Sequence, residues 1–287
     1  MQYALLFLVA LLLTLQKVTQ KRYNTLCQSG FFLFGGMISL CAMGVFLGIT
    51  AVTDSWTWHP SFWPPALGFG IFYAMGTLFT VLAIRHGSLA RTTLVTSYSL
   101  LVPAAAGVLF LREPIKGTMA VGGGLLILSL WLTHHRKTER ADRITLKWVA
   151  CAALGFAGSG LCSTVQKIAP RSVAIPLNPN LYMTVALGVS AVTLIAASFL
   201  ARETHRRETV RLGGGLALLC GLCNAGVNLL VLYLNVRLPA SVMFPTMSAG
   251  QIILVCLYAR LVCRERYTPK QWAGFAVGIL SVILLNL

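Results

Sequence analysis

Ten apolar runs, at about residues 2–16, 26–50, 65–84, 92–110, 117–133, 148–166, 177–200, 212–235, 240–259 and 269–286, fill most of this chain. Each approaches the ~20 residues that an α-helix needs to cross a hydrocarbon core. No other feature constrains the fold so strongly. Backbone facing lipid must satisfy its own hydrogen bonds, and the runs lack the alternation of barrel strands. The expected fold is an all-α polytopic membrane protein with ten transmembrane helices. Composition agrees: 57% of the residues are hydrophobic and 10% charged, against about 25% charged in soluble domains. The first run, MQYALLFLVALLLTLQ, has no basic start and leads to no small-residue cleavage site, so it reads as a retained helix.

The net charge of +16 would suggest nucleic acid in a soluble chain. Here Lys and Arg lie in short loops, as topology signals do, and nucleic-acid binding is a poor reading. Of the 23 basic residues, 18 fall on one loop parity, among them Lys21, Arg85, Arg140, Lys147, Arg207 and Arg264; only Arg112, Lys116, Lys167, Arg171 and Arg237 fall on the other. The positive-inside rule then puts both termini outside a cytoplasmic membrane. The loop TDSWTWHPSFWPP, free of Lys and Arg and rich in Trp, suits the outer interface.

The chain repeats itself at an offset of 150. TLQKV at 14–18 returns as TVQKI at 164–168, and Gly76, Ala90 and Thr96 match Gly226, Ala240 and Thr246. Two five-helix halves are expected, over residues 1–140 and 141–287. An odd number of spans turns the second half upside down, giving inverted repeats, an arrangement common in secondary transporters.

Within that frame the motifs resemble a known family. VLFLREPIKGTMAVGGGLLILSL, with Glu113-Pro114 ahead of a Gly-punctuated helix, is similar to the EamA half-repeat of the drug/metabolite transporter superfamily. LVCRERYTPKQWAGFAVGILSVILL repeats it with Arg266 where Pro is usual, and LAIRHGSLARTTLVTSYSLLVPAAAGVLF resembles the third and fourth helices of such halves. The resemblance implies ten helices as 5 + 5, a central cavity and alternating access. It also implies cytoplasmic termini, against the charge count.

Polar groups inside a helical bundle are the natural candidates for a substrate path. Tyr73, Thr77 and Thr80 share one face of the third run; Thr92, Thr96 and Ser99 share one of the fourth, with Tyr98 beside them. Asn224 and Asn228 stand one turn apart in the eighth, and Thr246 and Gln251 lie in the ninth. The substrate-binding set expected from these is Tyr73, Thr77, Thr96, Tyr98, Ser99, Asn224, Asn228, Thr246 and Gln251, although Ser, Thr and Asn also serve simply as glue between membrane helices. Pro103 and Pro245 interrupt their runs and free backbone carbonyls there, as hinges, site ligands or tolerated kinks. Glycine pairs such as Gly44–Gly48 and Gly274–Gly278 read as helix contacts.

Gln16 and Lys17, with Gln166 and Lys167, end the first and sixth runs. They read as interfacial anchors that snorkel, or as gates at opposite mouths. All seven acidic residues fall in loops or at run ends, so no midplane carboxylate is placed to exchange a proton for a cation. A neutral, zwitterionic or anionic small-molecule substrate is favoured over a cation. The Cys220-Gly-Leu-Cys223 pair lies inside an apolar run without a second ligand pair, and no metal or other cofactor is expected. A flippase of lipid on the same fold, or a membrane-embedded enzyme using the loop THHRKTERAD, are the alternatives; a non-enzymatic secondary transporter or facilitator, with transport driven by gradients or facilitated, is the preferred reading. Oligomeric state has no signature.

Overall fold

The protein is described here from a computed structural model. It describes residues 2–27, 29–53, 56–57, 59–100, 102–103, 105–106, 117–134, 145–169, 178–203, 205–235, 237–238, 240–262 and 268–286. Within them the chain forms α1 (Gln2–Leu26), α2 (Phe31–Val52), α3 (Trp63–His86), α4 (Leu89–Ser97), α5 (Gly117–His134), α6 (Leu146–Ile168), α7 (Pro179–Leu200), α8 (Arg206–Asn235), α9 (Ala240–Leu261) and α10 (Pro269–Asn286). No strand occurs among the described residues. Six helices, α1, α2, α3, α6, α7 and α8, are long and apolar enough to cross a membrane, and Thr246–Leu261 of α9 is a shorter apolar segment. The motif Arg112-Glu113-Pro114 and nearly all of the loop at 133–142 lie outside the described residues.

Two apolar runs differ from expectation. The first does not stop at residue 16: α1 continues to Leu26, because Tyr23 and Asn24 find partners in the bundle. Tyr23 stacks on Phe34 with ring centroids 3.7 Å apart, and its hydroxyl donates to the carbonyls of Ser29 and Gly30. Asn24 Nδ2 donates to the Val81 carbonyl of α3 at 3.0 Å. The fourth run is divided. α4 ends at Ser97 and tightens into a 3-10 turn, Tyr98–Leu100. Pro103 lacks the N–H that would bond the Ser99 carbonyl, and a 3-10 turn is the usual local answer.

The helices interlock closely. α3 packs on α6 and α7, α2 on α7 and α8, α1 on α8 and α9, α4 on α9, and α5 on α10. In a bilayer, association rests on close packing and interhelical hydrogen bonds, since lipid tails are as apolar as Leu. The α3–α6 crossing shows why small residues sit there: a Cβ at Gly158 would lie 2.5 Å from the Gly76 backbone nitrogen and 2.9 Å from the Phe72 carbonyl oxygen. Ser39 and Ser190 hydroxyls meet at 3.0 Å between α2 and α7. Ser129 donates to the Gly274 carbonyl at 2.6 Å between α5 and α10, and a Cβ at Gly278 would approach Ser129 Oγ to 2.8 Å. Gly44 and Gly48, by contrast, have nothing within 4 Å of a Cβ; the contact expected of that pair is not made among the described residues.

Glu203 joins the bundle end. Its carboxylate accepts from the N–H groups of Phe32 (2.9 Å) and Leu33 (3.1 Å) in the first turn of α2, where unpaired donors and the helix dipole favour negative charge. Large apolar side chains left exposed, such as Phe7, Leu40, Ile127, Trp131, Val192 and Leu222, are those a lipid environment would cover.

Candidate functional site

A cavity of about 150 Å³ lies inside the bundle, lined from α1, α3, α4, the turn after α4, α6, α8 and α9. A single water needs only about 10–15 Å³ by this measure, so the space is on the scale of a small metabolite. Its polar lining follows helical periodicity. α1 supplies Gln16, Lys17 and Gln20; α3 supplies Tyr73, Thr77 and Thr80; α6 supplies Ser159, Ser163 and Gln166. Thr96 and Ser99 come from the fourth segment, Asn224 and Asn228 from α8, and Gln251 from α9. Phe69, Val227, Val231, Phe244 and Met247 form apolar wall.

Of the residues expected at a substrate site, Tyr73, Thr77, Thr96, Ser99, Asn224, Asn228 and Gln251 all lie on this cavity. Tyr98 and Thr246 do not. The 3-10 turn points Tyr98 to α5, where its hydroxyl donates to Ser129 at 3.3 Å, while Thr246 is half-buried on α9 outside the lining. Gln16, Lys17 and Gln166 are cavity residues too, whereas Lys167 is not. Ser159, Cys162, Ser163 and Gln20 were not singled out from sequence. Their signal was present, since Gln16/Gln20 repeat at i, i+4 and Ser159/Ser163/Gln166 at i, i+4, i+7, the spacing of the α3 triad.

One side of the cavity is an amide chain. Gln166 Nε2 donates to Asn228 Oδ1 at 3.1 Å, bridging α6 and α8, and Asn228 Nδ2 donates to Asn224 Oδ1 and to the Asn224 carbonyl, each at 3.0 Å. Thr96 and Ser99 bond backwards to their own helix, through the Thr92 carbonyl (2.9 Å) and the Thr96 carbonyl (2.6 Å), which leaves their oxygens free as acceptors. The opposite side is less satisfied. Gln20 Oε1, the Tyr73 hydroxyl and Thr80 Oγ1 are shut off from water without a hydrogen-bond partner. The Tyr73 hydroxyl has Thr77 and Gln16 beside it but makes a well-formed hydrogen bond with neither. Three unpaired polar groups around one cavity are unusual, because each costs of order 1–3 kcal/mol when buried alone.

Lys17 and Lys167, equivalent in sequence, differ in position. Lys167 stands in the last turn of α6, where a lysine snorkels readily. Lys17 stands nine residues before the end of α1 and one turn before Lys21, on the cavity lining and not at the helix end. No carboxylate among the described residues pairs with it. The two described acids are engaged elsewhere, Glu203 on α2 and Glu208 beside His205 at 3.4 Å. A lysine turned into a membrane bundle is costly and is kept where it has work.

Similarity to known proteins accords with this architecture. Comparison with curated proteins returns no match. A solved structure described only as "Crystal structure of protein" superposes with a TM-score of 0.72, covering 98% of this chain and 94% of that one at 11% identity, a likeness of fold. The model of the EamA-like transporter family matches residues 144–287. An all-helical bundle with six membrane-length helices and that match over half its length make this a multi-pass membrane protein, and the chain belongs to the EamA-like transporter family.

Proposed function

We propose that the protein is a secondary transporter that moves a small polar metabolite across the cytoplasmic membrane by alternating access. The observation that carries this is the polar cavity enclosed by helices from both halves of the chain. The halves are read as inverted five-helix repeats, residues 1–140 and 141–287, making ten spans. Supporting this, exchanging α1–α5 for α6–α10 carries the packing onto itself: α3 on α6 becomes α8 on α1, α2 on α8 becomes α7 on α3, and α1 on α9 becomes α6 on α4. A cavity at the seam between two such bodies opens to one side or the other as they rock.

The substrate is read as neutral, zwitterionic or anionic, since the lining offers amides, hydroxyls and an ammonium but no described carboxylate. The amides, hydroxyls and ammonium set into its apolar wall favour a water-soluble solute over an acyl chain. Both termini are read as outside, from the Lys/Arg bias. Counterflow in proteoliposomes, with panels of organic anions, amino acids, neutral metabolites and quaternary cations, tests the reading. Protein-dependent exchange of one of the first three groups is expected; exchange restricted to the cations, or none at all, would refute it.

A further inference from the structure

Among the described residues the cavity carries one cation and several unpaired oxygens, and these define the charge of what it holds. We propose that it takes a small organic monoanion, whose carboxylate pairs with Lys17 while the unpaired oxygens of Tyr73, Gln20 and Thr80 serve its remaining polar groups. This deepens the transport reading above and rests on it.

The argument is one of complementarity. Lys17 is held well inside α1, on the cavity, with no described acid beside it. Its repeat partner, Lys167, lies in the final turn of α6 and off the cavity, so the described lining contains a single ammonium rather than a symmetric pair. A single positive charge in a low-dielectric space is satisfied by a single negative one, with the charge-assisted hydrogen bond that an ammonium makes to a carboxylate. Around it, Tyr73 and Thr80 on α3 offer hydroxyl groups and Gln20 on α1 offers a carbonyl oxygen, all buried and unpaired. The hydroxyls can donate to an anion, and Gln20 can accept from a hydroxyl or N–H of the same molecule. A cation would meet like charge, and a neutral solute would leave the ammonium bare.

The test uses the purified full-length protein and matched pairs at constant ionic strength: acetate and acetamide, lactate and lactamide, benzoate and benzamide, with tetramethylammonium and chloride as controls. A ligand that binds the folded state raises its unfolding temperature. At least one carboxylate should stabilise the wild type in a concentration-dependent way, and its amide should not. Lys17→Gln should weaken that response at least tenfold, Lys17→Arg should retain part of it, and Lys167→Gln should leave it unchanged. Unfolding of each variant without ligand shows that it is folded. The proposal is overturned if no carboxylate stabilises the wild type, if amides act as well as acids, or if Lys17→Gln responds like the wild type. Counterflow of the responding radiolabelled carboxylate separates this proposal from the transport reading. Lys17-dependent binding without movement keeps the monoanion site and removes transport. Movement of neutral or cationic solutes that Lys17→Gln leaves intact does the reverse.

Discussion

Gly158→Ala adds one methyl group where α6 crosses α3, and that methyl has nowhere to go. Its carbon would lie 2.5 Å from the Gly76 nitrogen, 2.8 Å from the Gly76 Cα and 2.9 Å from the Phe72 carbonyl oxygen. All three are backbone atoms, which cannot rotate aside as a side chain does. Ordinary contact starts near 3.4 Å, so the two helices must part by roughly an ångström, and overpacking of this kind costs about 1–3 kcal/mol. The displacement reaches the cavity directly, because α3 carries Tyr73, Thr77 and Thr80 while α6 carries Ser159, Ser163 and Gln166. Gly44→Ala is the matched control, with nothing within 4 Å of the new carbon, and it should gain slightly from higher helix propensity. Unfolding titrated with sodium dodecyl sulfate in mixed micelles gives both free energies, and ligand-induced stabilisation reports the cavity. Equal stability of Gly158→Ala and Gly44→Ala would refute the close crossing and the link drawn from it to the site.

Other consequences are open to equally direct measurement. Asn228→Ala breaks the bridge from Gln166 to Asn224, which should cost about 0.6–2 kcal/mol in the same unfolding assay and reduce counterflow more than it reduces stability. Glu203→Ala strips two donors of α2 of their acceptor and should destabilise by about 1–3 kcal/mol, whereas Glu203→Gln, which keeps an acceptor but loses the charge at a helix N-terminus, should cost less, about 0.3–1 kcal/mol. Trp148→Phe removes the bond from Trp148 Nε1 to Thr92 Oγ1 and leaves a void beside Ala83 and Ala152, so it should cost more than the mean of about 0.6 kcal/mol for such bonds in membranes. Single cysteines at Lys147 and Trp56, both exposed, in a cysteine-free background should be labelled by an impermeant maleimide only from inside and only from outside, respectively; the opposite pattern would reverse the orientation.

Much of the cavity could be read from helical spacing. Tyr73 and Thr77, Asn224 and Asn228, and Thr96 and Ser99 are polar at one-turn intervals in apolar surroundings, and each pair lies on the cavity. Spacing alone erred where the helix itself changed. Tyr98 falls inside the 3-10 turn ahead of Pro103, and that turn sends it to Ser129 while keeping Ser99 on the lining. The same spacing in α6 stands out less, because serine and cysteine are common packing residues between membrane helices.

The sequence by itself determined that this chain is a helical membrane protein of a transporter family, since long uncharged runs admit few other structures in a bilayer and its motifs are local. It also determined which residues share a helical face. Only the tertiary structure decided what each face meets. Gly44 and Gly278 are both glycines with a partner four residues away, yet one has open space and the other Ser129. Lys17 and Lys167 have nearly the same neighbours in sequence, yet one lies on a cavity and the other closes a helix. The physical reason is common to both. In helices apolar on every side, hydrophobicity does not distinguish lipid from neighbour from cavity, and the length and packing of the surrounding helices make that choice.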